Sequence, residues 1–262
     1  MDGKYIKVKS YNAKIPFLYG IDYLTHDIPF GDMYTVEDEL SFSRFFSRLK
    51  ELDYVPKVVV ADDRGGLKQA LCKVFPYAKL QLCHNHYLEN IRKLLKVRTE
   101  ARYQHFFNSL KLHVFLEGTN EQRIAQGLVH VMKTHAGQNK LLINILLTIH
   151  DRQDVLFNYL QVQDCPNNTN LIELYNSHLN GRLKTIKGFQ SLASAKQWLN
   201  AYLIRRRTKQ LTDCEQKFKY LNKHASLELT IKKQATWPDV LTKLGITQPN
   251  YFEKTPKIPT NN

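Results

Sequence analysis

The sequence has few cysteines and no long apolar run. Its four cysteines are Cys72, Cys83, Cys165 and Cys214. They lack the regular spacing of a disulfide framework. This scatter predicts free thiols in a reducing compartment. No stretch reaches the roughly 18 apolar residues that a membrane-spanning helix needs. The first residues, MDGKYIKVKS, also lack the apolar segment of a signal peptide.

Positive charge is concentrated toward the C-terminus. The net charge is +14, and residues 181–262 hold 16 of the 38 Lys and Arg but only 5 of the 24 Asp and Glu. A basic segment that follows a nearly neutral body is typical of proteins that bind a polyanion. Ribosome-like and membrane-surface roles fit this distribution too, but nucleic acid is the favoured partner.

The pattern of the first 95 residues predicts a mixed α/β fold. Short alternating or apolar stretches at 4–11, 16–25 and 28–35 predict three strands, and an amphipathic helix follows at 37–52. The stretch 58–90 then reads as strand, acidic turn, helix, strand and helix. The predicted order is β-β-β-α-β-α-β-α, a mixed sheet with helices on its faces.

The rest of the chain is predicted to be helical. Strand signals are absent from 96–165, which we interpret as an all-helical insertion into a core formed by 1–95 and completed by helices in 166–210. Residues 211–262 form a separate basic C-terminal segment in this division.

The predicted helix at 171–187 has an apolar stripe, widened by Leu174, and a polar side. The polar residues recur every three or four positions and are Glu173, Asn176, Asn180, Lys184 and Lys187. A solvated surface is one interpretation. Because Asn is a poor helix former, contacts from this side to a substrate backbone are the other. The next helix ends in three consecutive cations, Arg205, Arg206 and Arg207.

Three acids on separate predicted elements are candidate metal ligands: Asp2, Asp62 and Glu173. Asp62 follows an apolar strand, at the end where open α/β sheets place their ligands. Phosphoryl transfer commonly uses two Mg²⁺ ions, and Mg²⁺ prefers carboxylate oxygens. An alternative stays open, because Asp62 and Asp63 could instead cap the next helix.

The sequence resembles the catalytic domain of DDE transposases of the Mutator-like (MULE) type and of related bacterial insertion sequences. The resemblance rests on four stretches: DGKYIKV at 2–8, VVVADDRGGL at 58–67, VFPYAKLQLCHNHYLENIRK at 74–93 and TNLIELYNSHLNGRLKTIKGF at 169–189. The second and third follow the family order of strand, Asp, Gly, helix, Phe-Pro-x-Ala, strand, Cys-x-x-His and helix. The resemblance implies a ribonuclease-H-like sheet with the helical insertion placed before the last catalytic helix.

The resemblance also implies an activity, metal-dependent DNA strand cleavage and strand transfer in transposition. Asp2, Asp62 and Glu173 would hold two Mg²⁺ ions, with Mn²⁺ as a substitute; Asp63 ranks below Asp62, and Asp22 is the fallback for Asp2. The implied partners are transposon ends and target DNA, without a membrane, in a homo-oligomer when active. The expected location is the nucleoid in a prokaryote or the nucleus in a eukaryote.

Two further groups of residues receive expected roles. DNA contacts are assigned to polar and basic side chains of the last helices: Asn176, Asn180, Lys184, Lys187, Arg205, Arg206 and Arg207. Cys83 and His86 match the family's Cys-x-x-His and would contact DNA or support the active site. A buried thiol and a packed imidazole remain the alternative. Zinc is disfavoured, because four ligands are needed and no second Cys/His pair has finger spacing.

The position of Asp2, directly after Met1, differs from the family pattern. Family members carry a DNA-binding region ahead of this Asp, so the sequence predicts an N-terminally truncated catalytic domain. Two alternatives remain beside the transposase. One is an inactive remnant that only binds DNA, and the other is a ribonuclease-H-like nuclease that cuts without joining.

Overall fold

The computed structural model describes residues 1–137 and 139–230. The strands in these residues are β1 Asp2–Ile6, β2 Ile15–Tyr19, β3 Gly31–Met33, β4 Val58–Ala61 and β5 Lys79–Leu82. The α-helices are α1 Glu39–Glu51, α2 Leu67–Val74, α3 His84–Leu94, α4 Gln104–His113, α5 Glu121–Val131, α6 Lys140–Asp151, α7 Gln153–Leu156, α8 Asn170–Leu183, α9 Leu192–Thr208 and α10 Ser226–Thr230. None of these helices is long and apolar enough to cross a membrane.

The predicted order of the first eight elements is confirmed, although their bounds are shorter. β2 ends at Tyr19 and β3 covers only Gly31–Met33, whereas the sequence pattern extended both strands by several residues. The prediction that Asp22 lies on a strand is wrong. Its carboxylate accepts hydrogen bonds from the backbone N–H groups of Leu24 and Thr25, the local turn that Asp side chains favour.

The strands form an antiparallel and a parallel piece. β1, β2 and β3 pair antiparallel in that order, with Asp2 opposite Tyr19, and β4 pairs parallel with β5. One hydrogen bond connects the pieces, because the amino nitrogen of Met1 donates to the Val60 carbonyl at 2.6 Å. β1 therefore begins beside β4. The predicted mixed sheet consists of an antiparallel part and a parallel part, which this hydrogen bond connects.

The three-stranded piece lies between two apolar cores. Every residue of β2 is buried, and successive side chains of a strand point to opposite faces. Phe17 and Tyr19 pack with α8 and α9, while Leu18 packs on the other face with Phe42 and Phe45 of α1. This double burial explains why the strand reads as continuously apolar.

The chain after α8 returns to β1 and fixes that helix against it. Phe189 donates to Lys7 and accepts from Lys9 at 2.9 and 2.8 Å. The turn needs left-handed backbone, with φ of +111° at Gly188. The predicted helix therefore ends at Leu183 instead of residue 187. Leu174, expected to widen the apolar stripe, is 55% exposed.

The described part of 96–165 is helical, as predicted, and its apolar residues join the core that contains α1. The segment after α7 runs along β5 through hydrogen bonds from a buried glutamine. The Gln81 amide donates to the Leu156 carbonyl at 2.7 Å and accepts from Tyr159 N–H at 2.9 Å. Gln81 thus supplies hydrogen bonds to backbone groups at the end of α7 and just after it.

A buried ion pair in the loop after β2 joins α9 and the first part of the basic C-terminal segment to this loop. Arg207 of α9 makes two hydrogen bonds to Asp27, at 2.8 and 2.7 Å, and Asp27 is fully buried. Ser226 and Thr230 of α10 also donate to this carboxylate. Residues 231–262 of the predicted basic segment lie outside the described residues.

Candidate active site

Asp62 lies directly after β4, as the sequence pattern predicted. Its side chain is 21% exposed. Burial raises the pKa of Asp62, and the charges of Asp2 and Glu173 raise it further, against the opposing effect of His86 and Arg64. Neighbouring carboxylates in a partly desolvated position therefore hold negative charge that the surrounding side chains compensate only in part.

His86 connects two of the carboxylates from the first turn of α3. Its Nδ1 lies 2.8 Å from Asp62 Oδ1 and 3.7 Å from Glu173 Oε1. The Cys83 sulfur lies 3.3 Å from the same nitrogen. The spacing of Cys-x-x-His permits this contact because Cys83 is the N-cap of α3 and His86 the third residue of the helix.

Asp2 is held by a side chain of α8. The Asn176 amide nitrogen donates to Asp2 Oδ2 at 2.6 Å, and the Asn176 carbonyl oxygen accepts from the Tyr19 hydroxyl at 2.9 Å. Tyr19 is the β2 residue opposite Asp2. Strand pairing and one amide therefore fix the carboxylate between β1 and α8.

Glu173 lies in the first turn of α8 with 46% of its side chain exposed. The Thr169 hydroxyl, just before the helix, lies 2.9 Å from Glu173 Oε1 and 3.2 Å from the Cys83 sulfur. Thr169 is buried. It therefore links the carboxylate on α8 to the Cys83–His86 turn.

Asp2, Asp62 and Glu173 come from three separate elements: Asp62 and Glu173 both face His86 Nδ1, at 2.8 and 3.7 Å, and the charge of Asp2 acts on Asp62. Among the described residues, the set of ligand atoms that all lie within 4.8 Å of one another is that of Asp62, Cys83 and His86, so the three carboxylates are neighbours and not one tight group. Their oxygens are the hard ligands that Mg²⁺ prefers. Burial is the main cause of the raised pKa of Asp62, and repulsion by the charges of Asp2 and Glu173 adds to it. A divalent cation would relieve this repulsion, so the donor set and its electrostatics fit such an ion.

The acids that ranked lower serve other purposes. Asp63 makes two hydrogen bonds to Arg152, at 2.6 and 2.8 Å, which lower the pKa of its carboxyl group. Neither Asp62 nor Asp63 caps α2, because the N-cap is Gly66, so the capping alternative is wrong. Asp22 lies in the loop after β2, where its carboxylate binds the backbone N–H groups of Leu24 and Thr25.

The predicted DNA contacts divide into exposed and buried side chains. Asn176 is buried against Asp2, and Arg207 is buried against Asp27, so the expectation that both present polar groups to a ligand surface is wrong. Arg206 lies 4.6 Å over the Tyr175 ring. Asn180 is half-buried, and three cations are exposed: Lys184, Lys187 and Arg205.

Three residues at the site were missed by sequence reasoning. Thr169 stands four positions before Glu173, a one-turn spacing that could have revealed it. Tyr19 gave no signal, because its contact depends on strand pairing. Glu37 lies beside β1. A Cβ atom added to Gly3 would be 1.7 Å from the Oε1 atom of Glu37.

His84, which received no role, has a structural one. Its Nε2 contacts the Leu156 carbonyl at 2.7 Å, and its ring packs against Phe115 and Phe157. Burial lowers the pKa of His84 to about 4, so the ring is neutral at pH 7. The two histidines of the motif therefore point to different places, one into the core and one toward the acids.

Asp62 follows a parallel strand of an α/β fold, at the end where open α/β sheets place their ligands, and carboxylates of two other elements lie near it. A family model described as "Transposase, Mutator family" matches residues 25–241. The chain therefore belongs to the Mutator family of transposases. The match includes Asp62 and Glu173 and begins after Asp2. No curated protein shows a significant match to the chain.

Proposed function

We propose that this chain is the catalytic domain of a DDE-type transposase, which cleaves DNA and joins the freed 3′-hydroxyl to target DNA. The observation that carries the proposal is that Asp62 and Glu173 face the same ring nitrogen of His86, while Asn176 of the helix that bears Glu173 holds Asp2. An antiparallel three-stranded piece, joined through β1 to a parallel strand, supports a ribonuclease-H-like arrangement. DNA ends and target DNA would be its partners, bound by a homo-oligomer.

Asp2, Asp62 and Glu173 would hold two Mg²⁺ ions, for which Mn²⁺ could substitute. When bound, such ions lower the pKa of the attacking hydroxyl and neutralise charge on the leaving oxygen. Asn176 keeps the Asp2 carboxylate turned toward α8. Thr169 and His86 hold Glu173 and Asp62 in place. These contacts orient the carboxylates before any cation binds.

Lys184, Lys187 and Arg205 would bind the phosphate backbone of DNA. All three are exposed, and no carboxylate of the described residues lies within ion-pair distance of them. Contacts of this kind give affinity without sequence preference and a slope of about −0.9 per phosphate in a plot of log affinity against log salt. Asn180, one turn before Lys184, is placed to add a neutral contact.

The test is cleavage and joining of a pre-nicked DNA duplex in Mg²⁺ or Mn²⁺, with Glu173→Gln and Asp62→Asn compared with the unchanged chain. We expect both variants to lose the reaction about a thousandfold or more, because a bound metal ion supplies several kcal/mol of transition-state stabilisation. Addition of a chelator should abolish the reaction of the unchanged chain.

Asp63→Asn is the matched control, because it removes an adjacent carboxylate that is engaged with Arg152. We expect this variant to keep both cleavage and joining. DNA binding without cutting, unaltered by either test substitution, would contradict the enzyme and support a DNA-binding remnant. Metal-dependent cutting without any joined product would support a nuclease instead.

A further inference from the structure

Asp62, Cys83 and His86 present three different ligand atoms to one point. A carboxylate oxygen, the thiol sulfur and a ring nitrogen all lie within 4.8 Å of one another. Cys83 is buried, whereas Asp62 and His86 are partly open to solvent. A small ion can therefore enter from the side of the carboxylates and meet the sulfur at the closed end.

This donor set differs in kind from the three carboxylates beside it. Sulfur and imidazole ligands favour zinc and similar metals, whereas carboxylates and water suit Mg²⁺. Zinc sites take four ligands; the group supplies three, which leaves the fourth position to water or to the neighbouring Glu173, whose Oε1 lies 3.7 Å from His86 Nδ1. The objection that the sequence has no second Cys/His pair does not hold, because the fold provides carboxylates in its place.

We propose that Asp62, Cys83 and His86 bind a thiophilic divalent cation, of which Zn²⁺ is the type, and that this ion displaces Mg²⁺ by occupying Asp62. On binding, the Cys83 thiol releases its proton to solvent and coordinates as a thiolate. The displacement of Mg²⁺ rests on the proposed function, but the binding of the thiophilic ion does not.

Exclusion follows from the shared carboxylate. Asp62 Oδ1 lies 2.8 Å from His86 Nδ1, so an ion that binds between these atoms takes an oxygen of Asp62 that the proposed Mg²⁺ site also needs. A thiophilic ion gains the thiolate and the imidazole, which Mg²⁺ does not use. A low concentration of Zn²⁺ therefore competes with a large excess of Mg²⁺, and the same protein has an active and an inhibited metal form.

A second thiol–imidazole contact in the chain provides an internal comparison. The Cys214 sulfur lies 3.7 Å from His26 Nδ1. Within the part of the chain that the structure describes, no third metal-ligating side chain joins this pair, whereas Asp62 joins Cys83 and His86. Cys72 is exposed. Both cysteines are therefore suitable controls for the specificity of metal binding.

The first experiment is titration of the metal-free chain with Co²⁺, a spectroscopic probe for zinc sites. We expect a near-ultraviolet thiolate-to-cobalt absorption band that stoichiometric Zn²⁺ abolishes. Cys83→Ser should lose the band. His86→Gln should weaken Co²⁺ binding by more than the roughly 10–100-fold that outer ligand partners contribute.

Cys72→Ser and Cys214→Ser should keep the band at the same Co²⁺ concentration. Circular dichroism of each variant checks its fold, and the partly exposed His86 permits a test if Cys83→Ser fails to fold. The proposal is overturned if no band forms, if the band survives both Cys83→Ser and His86→Gln, or if Cys214→Ser removes it.

The second experiment measures the Zn²⁺ concentration that halves DNA cleavage in Mg²⁺. We expect that concentration to rise in proportion to Mg²⁺ and to be at least tenfold higher for His86→Gln, relative to the variant's own uninhibited rate. Inhibition independent of Mg²⁺ would overturn the shared-ligand proposal. If no cleavage occurs at all, the Co²⁺ titration still decides whether the site exists, so the two failures are distinguishable.

Discussion

The Asn176 amide bridges two strands of the sheet by donating to Asp2 and accepting from Tyr19. This finding replaces the expected DNA contact with a positioning role. Asn176→Ala should lower the rate of DNA cleavage about 10–100-fold, the usual cost of removing a partner of a metal ligand. The Mg²⁺ concentration for half-maximal rate should rise, while the dissociation constant for DNA stays unchanged.

Asn180→Ala is the matched control one turn later on the same helix. It should leave the Mg²⁺ dependence unaltered. Tyr19→Phe, which removes only the hydroxyl that supports Asn176, should shift the Mg²⁺ dependence in the same direction as Asn176→Ala. A weaker DNA complex with unchanged Mg²⁺ dependence in Asn176→Ala would restore the original assignment.

The second prediction separates two neighbouring arginines. Arg207 is buried with Asp27, so Arg207→Met leaves an uncompensated buried carboxylate. We expect the free energy of unfolding to fall by about 3–5 kcal/mol, the usual effect of breaking a buried pair. Urea denaturation monitored by circular dichroism measures this change.

Arg205→Met tests the exposed neighbour. Its stability should change by less than about 0.5 kcal/mol, whereas the slope of log DNA affinity against log salt should become less steep by about 0.9. The reverse pattern, with Arg207 governing the salt slope and Arg205 the stability, would refute the division that burial indicates.

The third prediction concerns Glu37, whose carboxyl group is buried beside β1. Burial raises its pKa above the ordinary value of 4.5; the charges of Asp2 and Asp62 add to the effect, and Arg64 and Tyr5 oppose it. Between the two pKa values the folded chain binds a proton that the unfolded chain has released. Stability therefore falls as pH rises through this window. Glu37→Gln should reduce that fall.

Urea midpoints measured from pH 4 upward test this expectation, because a shallower decline in Glu37→Gln isolates the contribution of one carboxyl group. Glu117→Gln, in an exposed loop, should retain the decline of the unchanged chain. Identical pH profiles for the unchanged chain and Glu37→Gln would show that the burial of Glu37 carries no energetic penalty.

Sequence patterns predicted the order of elements, because burial of one face imposes a local spacing of apolar residues on each helix and strand. The apolar β4, the turn at Asp62 and the Cys-x-x-His spacing depend on residues that are close along the chain. Strand ends were overextended, since apolar loop residues such as Ile21 and Ile28 resemble strand residues. The apolar pattern does not show that the backbone of these residues turns away from the sheet.

The environment of each polar residue could not be predicted in this way. Asn176 and Lys184 lie on the same predicted helix side, yet one is buried and the other exposed. The three arginines at the end of α9 have three different surroundings. Such differences arise from contacts between distant parts of the chain, as with Asp27 and Arg207, which no local spacing encodes.

The two apolar cores that flank β2 divide the catalytic set between them. Asp62 follows a strand of one core, whereas Glu173 stands on a helix of the other. During synthesis, Asp2 and Asp62 leave the ribosome more than one hundred residues before Glu173, and the hydrogen bonds that return the chain to the end of β1 involve Phe189, which follows still later. The three carboxylates of the proposed catalytic set can therefore meet only after the second core has been synthesised.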